Sequence, residues 1–441
     1  MLRYPDVEEV ARFIDHAVKQ RFQPDVVRTE LLRNDEVPGE LIVRVYLPES
    51  SDLVPWAEAH RESMEEFRQN LSLRLPSAKL LEFTSDVPGA AVIALPDDGS
   101  LAGQQLSGRE IVTKALELLR ANYVFPETAE LAAVAVEARL EAGEYDNLDE
   151  IALAGLLTSH LAEVCHDKHL RVRLGGGPGP GDRGGPGPGG DDSDGPGPGE
   201  RRRRRPARDD LRRMGRMVNF RIQRVERLAG NVGYVDLRGF PPAEAAGPAI
   251  TAVMELVAGT FALIFDLREN GGGSPDGVVF WCSYLFGEKT HLNDIFEAET
   301  GETKQFWSLS YVPGERYLDR PVYVLTSERT FSGGEDFCYT LQAQGRAEII
   351  GETTGGGAHP TRGFPISPAV HIGIPFARSI NPVTGTNWEG TGVVPDTAVP
   401  AEQAYDVAYA KALRHILELD EVPPPIMTQA RETLAGLTLP A

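Results

Sequence analysis

The stretch VYVLTSERTFSGGEDFCYTLQAQGRAEIIGETTGGGAH, residues 322–359, decides the fold. PVYVLTS (321–327) opens it as a short apolar run, which predicts a buried strand. SGGEDFCYTLQAQG (332–345) then follows a helical period and is closed by Gly345. AEIIGETT (347–354) returns to an apolar strand. Upstream the alternation continues. NVGYVDLRGF (231–240) predicts a strand, EAAGPAITAVMELVAG (244–259) a helix, FALIFDLREN (261–270) a strand apolar on both faces, and GVVFWCSYLFG (277–287) a helix. Continuous apolar strands alternating with helices imply a largely parallel sheet covered on both sides, hence an α/β fold class.

The rest of the chain divides around this core. Residues 1–104 mix helix-like and strand-like pieces, such as EEVARFIDHAVKQRF, LIVRVYLPE and AVIALPDDG, and form an N-terminal α+β extension without recognisable chemistry. Residues 105–174 carry three helical periods beginning with the capping signature Ser107-x-x-Glu110, and end at CHDKHLRVRL. Residues 175–212 hold GGGPGPGDRGGPGPGGDDSDGPGPGE and Arg201 to Arg205. That composition cannot bury enough apolar surface to offset its ordering entropy and reads as a disordered linker. The catalytic-type core spans 213–420, with an amphipathic helix at 401–419, and 421–441 form a Pro-rich, loose C-terminal tail.

Composition narrows the function. At 441 residues the chain exceeds what one hydrophobic core supports. A net charge of −21 repels phosphate backbones and anionic lipid, so neither nucleic acid nor membrane is an expected partner, and the arginine run reads as a solvated linker end. Three cysteines, Cys165, Cys282 and Cys338, form neither a disulfide framework nor a zinc motif. No apolar run is long enough to span a bilayer, and the first residues are acidic where a signal peptide is apolar, so a cytoplasmic location is expected. There are only seven lysines: Lys19, Lys79, Lys114, Lys168, Lys289, Lys304 and Lys411.

Four segments could carry chemistry. Ser332 with Gly333 sits where a buried strand meets a helix N-terminus, which presents a hydroxyl and free N–H groups to developing negative charge. Ser332-x-x-Glu335 is equally a capping box, and the motif alone leaves both readings open. DLRENGGGS (266–274) runs a strand into three glycines without a P-loop Lys, so an amide donor fits better than a phosphate cradle, with Gly272 as the expected donor. His169 and its competitor His166 lie where the helices give way to a strand, and Glu389 lies in NWEGTGVVPD. Each alone is more often structural than functional.

Together, FALIFDLRENGGG, residues 322–359 and NWEGTGVVPD with the helix after it resemble the tail-specific, or C-terminal processing, protease family. They are most similar to its interphotoreceptor retinoid-binding protein-like and tricorn-like branch. The resemblance implies a crotonase-like or ClpP-like α/β core, an N-terminal helical domain and a serine-type endopeptidase acting on peptides or unfolded proteins. It implies no metal or organic cofactor, and closed homo-oligomers are common among such relatives. The stretch GETTGGGAHP, where many members carry a catalytic lysine, holds none, and the only lysine after Ser332 is Lys411. The resemblance therefore assigns Ser332 as nucleophile, His169 in the D-x-H pattern as base and Glu389 as its orienting acid, with Gly333 and Gly272 as oxyanion donors. The tricorn pattern places a serine before the histidine, where this chain has Lys168. No PDZ-like segment is found. The alternatives are a non-catalytic module binding hydrophobic ligands on the same fold, and an α/β-hydrolase with His359 or His371 as base. The latter requires G-x-S-x-G, whereas Ser332 sits in T-F-S-G-G.

Overall fold

The structure, a computed structural model, describes residues 28–33, 41–47, 78–85, 92–96, 106–174, 208–367 and 370–437. The helix expected at EEVARFIDHAVKQRF, the Gly/Pro linker and Arg201 to Arg205 lie outside the described residues. The chain forms two compact units, Met1–Ser107 with Ser367–Ala369, and Gly108–Ile366 with Val370–Ala441. The first holds a four-stranded sheet in the order β1 (Arg28–Arg33), β2 (Leu41–Leu47), β3 (Ala78–Ser85), β4 (Val92–Pro96). β2 and β3 are parallel and the flanking pairs antiparallel. Val43, Val45 and Leu47, alternate residues of β2, are buried, as a period of two requires.

The second unit begins with three helices, α1 (Gly108–Asn122), α2 (Pro126–Glu141) and α3 (Glu150–Cys165). Ile111, Val112, Ala115, Leu116 and Leu119 make the buried stripe of α1, the spacing of one helical face. Asp149 caps α3 by accepting from the Ala152 N–H at 2.7 Å. α3 ends at His166, which has φ 51° and returns its N–H to the Ala162 carbonyl. That reversal leads into β5 (Arg171–Leu174).

The core follows. Its elements are α4 (Arg208–Met217), β6 (Ile222–Leu228), β7 (Val232–Leu237), α5 (Ala243–Val257), β8 (Ala262–Asp266), α6 (Pro275–Ser283), β9 (His291–Glu297), β10 (Thr303–Trp307), β11 (Val322–Thr326), α7 (Gly333–Ala343) and β12 (Glu348–Gly351). Then come β13 (Thr361–Pro365), β14 (Val370–Pro375), β15 (Ala377–Ile380), β16 (Thr397–Ala398), α8 (Ala401–Glu418) and α9 (Pro424–Gly436). The central sheet runs β16-β12-β11-β8-β7-β6, parallel except for the β6–β7 pair. β7, β8 and β11 are buried along their whole length. On one face Phe265 and Val324 pack with Ile250, Met254, Trp281, Phe337 and Leu341 from α5, α6 and α7. On the other, Ile264, Leu325 and Ile350 meet Ala404, Ala408, Leu413 and Ile416 of α8. Each large apolar side chain fully buried there contributes roughly 1.5–3 kcal/mol.

Three features depart from the sequence reading. The strand expected over 347–354 stops at Gly351, whose φ of 138° and close approach to the Thr326 carbonyl turn the chain. The tail expected to be loose carries α9, with Pro at its first turn and Ala430 buried beside Leu413. Two small antiparallel sheets, β10-β9-β15 and β13-β14-β5, are not expected from the sequence, because most of their strands carry polar residues and the third strand of each joins a hairpin across a long sequence gap. The second of these sheets positions the site. No helix among the described residues is long and apolar enough to cross a membrane.

Candidate active site

Ser332 stands between β11 and α7, and its backbone is unusual, with φ 55° and ψ −119°. A plain N-cap is extended. This conformation costs roughly 1–3 kcal/mol and persists only where its surroundings impose it. They do so from two sides. Thr330 Oγ1 donates to the Leu267 carbonyl at 2.8 Å and the Phe331 N–H to the Asn270 carbonyl at 2.9 Å, pinning the loop to the end of β8. The Ser332 N–H donates to Glu335 Oε2 at 2.8 Å, one half of the anticipated capping box, while the Glu335 N–H goes to the Ser332 carbonyl at 2.9 Å.

Gly272 and Gly273 pack directly against this turn. A Cβ on Gly272, which has φ 93°, would lie 2.8 Å from Ser332 Cβ and 2.7 Å from the Gly333 nitrogen, so only glycine fits. The donor expected of Gly272 is redirected, however. Its N–H is held by the buried Asn270 side chain, which accepts at Oδ1 at 2.8 Å. Gly273 forms a parallel bridge with Phe240 through its neighbours, the Gly272 carbonyl and the Ser274 N–H. The Gly273 nitrogen therefore faces the other way and would touch a Cβ placed on Gly333 at 3.0 Å. Gly333 is the first residue of α7, so its N–H has no acceptor within the helix.

His169 reaches this region through β5. Arg171 and Val172 pair antiparallel with Gly373 and Ile372 of β14, and Thr158 Oγ1 accepts from the Val172 N–H at 2.9 Å. The His169 N–H donates to Asp167 Oδ1 at 3.0 Å, fixing the turn between α3 and β5. The His169 ring is buried and lies 4.6 Å, centroid to centroid, from Phe331, the neighbour of Ser332. A Cβ on Gly357 would strike Phe331 and come within 2.7 Å of His169 Cε1, so Gly357 keeps room for the imidazole. His166 caps α3 instead, and His371 sits on β14 opposite Arg173.

The buried Glu335 and the half-buried Glu389 both hold the strip Gly355–Ala358. Glu335 accepts from Thr354 Oγ1 at 2.5 Å, the Gly356 N–H at 2.6 Å and the Gly357 N–H at 2.9 Å, besides Ser332. Burial pushes its carboxyl up, against the pull of these four donors. Glu389 accepts from the Ala358 N–H at 2.5 Å, and Trp388 Nε1 donates to the Gly357 carbonyl at 2.7 Å. Burial first, and the nearby Asp167 charge second, push the Glu389 carboxyl up to about 7. One ligating atom each of Asp167, His169 and Glu389 lies within 4.8 Å of the others.

The sequence reading missed Asp167 and His359 as members of this cluster. His359 Nδ1 lies 2.6 Å from Asp167 Oδ2 and 3.5 Å from Glu389 Oε2, and Tyr123 donates to Asp167 at 3.2 Å. Burial disfavours the imidazolium of His359, but the hydrogen bond to Asp167 and the charges of Asp167 and Glu389 outweigh it, so its pKa is raised. Asp167 was visible as the first residue of the D-x-H pattern. His359 carried no local signal beyond following three glycines. Lys168 points its ammonium to the Gly355 carbonyl at 2.5 Å, beside the site.

A family model described as peptidase family S41 matches residues 231–399, which contain Ser332 and Glu389. A second, described as the N-terminal domain of peptidase S41 in eukaryotic IRBP, matches residues 105–179, which contain His169. The chain belongs to peptidase family S41. A carboxyl-terminal-processing protease from Picosynechococcus sp. (strain ATCC 27264 / PCC 7002 / PR-6) is 27% identical to this S41 chain over 178 residues, covering 40% of it. The match spans 41% of that curated relative's length. Among solved structures, a photosystem II D1 C-terminal processing protease is similar with TM-score 0.41 at 18% identity, covering 68% of this chain and 94% of that one. The tricorn protease is similar with TM-score 0.41 at 12% identity, covering 78% of this chain and 37% of that one.

Proposed function

We propose that this S41 chain is a serine endopeptidase acting on peptides and unfolded proteins through Ser332, His169 and Glu389. One observation carries the reading. His169, from the helical segment, lies against Phe331 beside the strained Ser332, with a ligating atom within 4.8 Å of the Glu389 carboxylate. Three segments far apart in sequence thus supply nucleophile, base and orienting acid at one place.

The mechanism follows from the local chemistry. Ser332 Oγ attacks the scissile carbonyl while His169 takes its proton. His169 then protonates the leaving amine, and water repeats the sequence on the acyl-enzyme. Glu389 holds the imidazole in orientation and balances its charge during transfer. The tetrahedral oxyanion is received by the Gly333 N–H, at the positive end of α7, and by the Gly273 N–H, the neighbour of the Gly272 originally expected. Each donor is worth about 10²–10³ in rate in comparable enzymes. Gly272 serves as the bare backbone surface that lets Ser332 approach these amides. A module that only binds hydrophobic ligands has no use for a strained serine beside a helix N-terminus. Ser332→Ala tests the reading: hydrolysis of an unstructured protein such as reduced, carboxymethylated casein should vanish while the thermal melt is retained. Undiminished hydrolysis overturns it.

A further inference from the structure

Beside the nucleophile the chain gathers more ligating groups than proton transfer requires. Asp167, His169 and Glu389 each bring one ligating atom within 4.8 Å of the others. His359 Nδ1 borders two of these three, 2.6 Å from Asp167 and 3.5 Å from Glu389. Asp167, His169 and His359 are 2%, 5% and 5% exposed, so the cluster is largely removed from water. Two carboxylates at such separation repel in a dry site unless a cation accompanies them. The His359–Asp167 hydrogen bond meets part of that charge, and the longer cationic side chains nearby do little of the rest. Lys168 spends its ammonium on the Gly355 carbonyl, and the charge of Arg378 acts on His359 rather than pairing with either acid. Glu389 Oε1 is buried without a hydrogen-bond partner, an acceptor with unused capacity beside the imidazoles.

Two imidazole nitrogens and two carboxylate oxygens are the donor set of zinc-class cations rather than of magnesium or calcium, which prefer oxygen alone. Bonds of about 2.0–2.2 Å place neighbouring ligand atoms roughly 3.3–3.6 Å apart in a tetrahedral shell. The His359–Glu389 separation already falls there, whereas the His359–Asp167 hydrogen bond has to open. We propose that Asp167, His169, His359 and Glu389 form a zinc-class cation site, and that the bound ion takes His169 out of proton transfer and holds the peptidase latent. On binding, the proton between His359 and Asp167 and any proton on Glu389 leave to solvent, and removal of the ion by a chelator restores them. Latency rests on the peptidase reading above, whereas binding of the ion does not.

The experiment separates the two. Metal-free full-length Ser332→Ala protein, which cannot turn over substrate, is titrated with Zn²⁺ in competition with a chromophoric chelator. One ion per chain with sub-micromolar affinity is expected, unaffected by millimolar Mg²⁺. His169→Ala and His359→Gln in that background should each weaken binding at least tenfold. Thermal melts establish that these variants fold, and a Zn²⁺-dependent rise in melting temperature that chelator reverses is read on the unsubstituted protein. Absence of stoichiometric binding, or an affinity that both variants leave unchanged, overturns the site. In chelator-treated unsubstituted protein, one equivalent of Zn²⁺ should lower casein hydrolysis at least tenfold. Binding without that inhibition overturns the latency. Protein that stays inactive after chelation while still binding Zn²⁺ counts against the peptidase reading and leaves the site standing.

Discussion

Glu335 and Glu389 are the same residue type, both largely buried, and both hold the glycine strip that follows β12. Their surroundings differ. Glu335 receives four hydrogen bonds, from Ser332, Thr354, Gly356 and Gly357. Glu389 receives only backbone N–H groups, from Ala358 and Lys168, keeps Oε1 without a partner, and faces Asp167 and His359. The first carboxylate is committed to structure: it fixes the backbone of Ser332 and the loop beneath His169. The second retains unspent acceptor capacity next to an imidazole, which is what orienting a base requires. On the proposed mechanism, burial alone therefore does not distinguish an orienting acid from a structural one. The count of satisfied lone pairs does.

The comparison can be broken first at His169, the base that the proposed mechanism pairs with Glu389. His169→Ala should lower kcat/KM by at least about 10³-fold with the fold intact, judged by casein hydrolysis and circular dichroism. The two glutamates should then separate. Glu389→Gln is expected to cost about 10²–10⁴-fold in kcat with a nearly unchanged melting temperature. Glu335→Gln should destabilise by about 2–4 kcal/mol, because its amide nitrogen meets backbone N–H donors, and the loss reads as a melting temperature lower by several degrees. Equal effects of both substitutions on stability would erase the distinction. Gly357→Ala should follow, with about 10–10²-fold lower kcat, since the new Cβ displaces Phe331 and the His169 ring.

The smallest effect is on pH dependence. A carboxyl raised to about 7 in the folded chain binds a proton that the unfolded chain has already lost above its ordinary value near 4.5. The folded state therefore holds more protons between those values, and stability falls as pH rises from about 4.5 to about 7. The buried Asp336 carboxyl, also raised to about 7 by burial, adds a fall of the same sign. Denaturant melts of the unsubstituted chain and Glu389→Gln at pH 5 and pH 8 should show a shallower loss in the variant, the difference being the share of Glu389. Activity runs the other way, rising through pH 7 as Glu389 ionises. Identical pH profiles for both proteins would contradict this.

Much of the core was legible in sequence because its strands are buried on both faces. VGYVDL, ALIFD and VYVLT need no alternation to be recognised, and the helices between them follow a helical period. The β13-β14-β5 sheet was not legible, since its strands are short and half polar, and Arg171–Leu174 finds its partner only at Val370–Gly373. That pairing carries His169 to Phe331, the neighbour of Ser332, so His169 could be named as a candidate base only through family resemblance. Ser332 could be named but not decided from its motif, because a nucleophile turn and a capping box share the same letters. Its backbone angles, φ 55° and ψ −119°, are not those of a plain N-cap, although the Glu335 half of the capping box is present. Spacing points to Gly272, one residue from the amide that faces Gly333, because it does not encode the Asn270 side chain that accepts the Gly272 N–H. Asp167 and His359 were missed as partners, since they meet across most of the chain's second unit.

The central claim is that Ser332 is an activated nucleophile made so by His169 and Glu389. Labelling with a fluorophosphonate probe, followed by peptide mass mapping, tests it most directly. The account predicts modification of the unsubstituted protein at Ser332, none in Ser332→Ala, and labelling slowed by at least about 10²-fold in His169→Ala and Glu389→Gln. Modification at another serine, or equal labelling rates in His169→Ala and the unsubstituted protein, would contradict it.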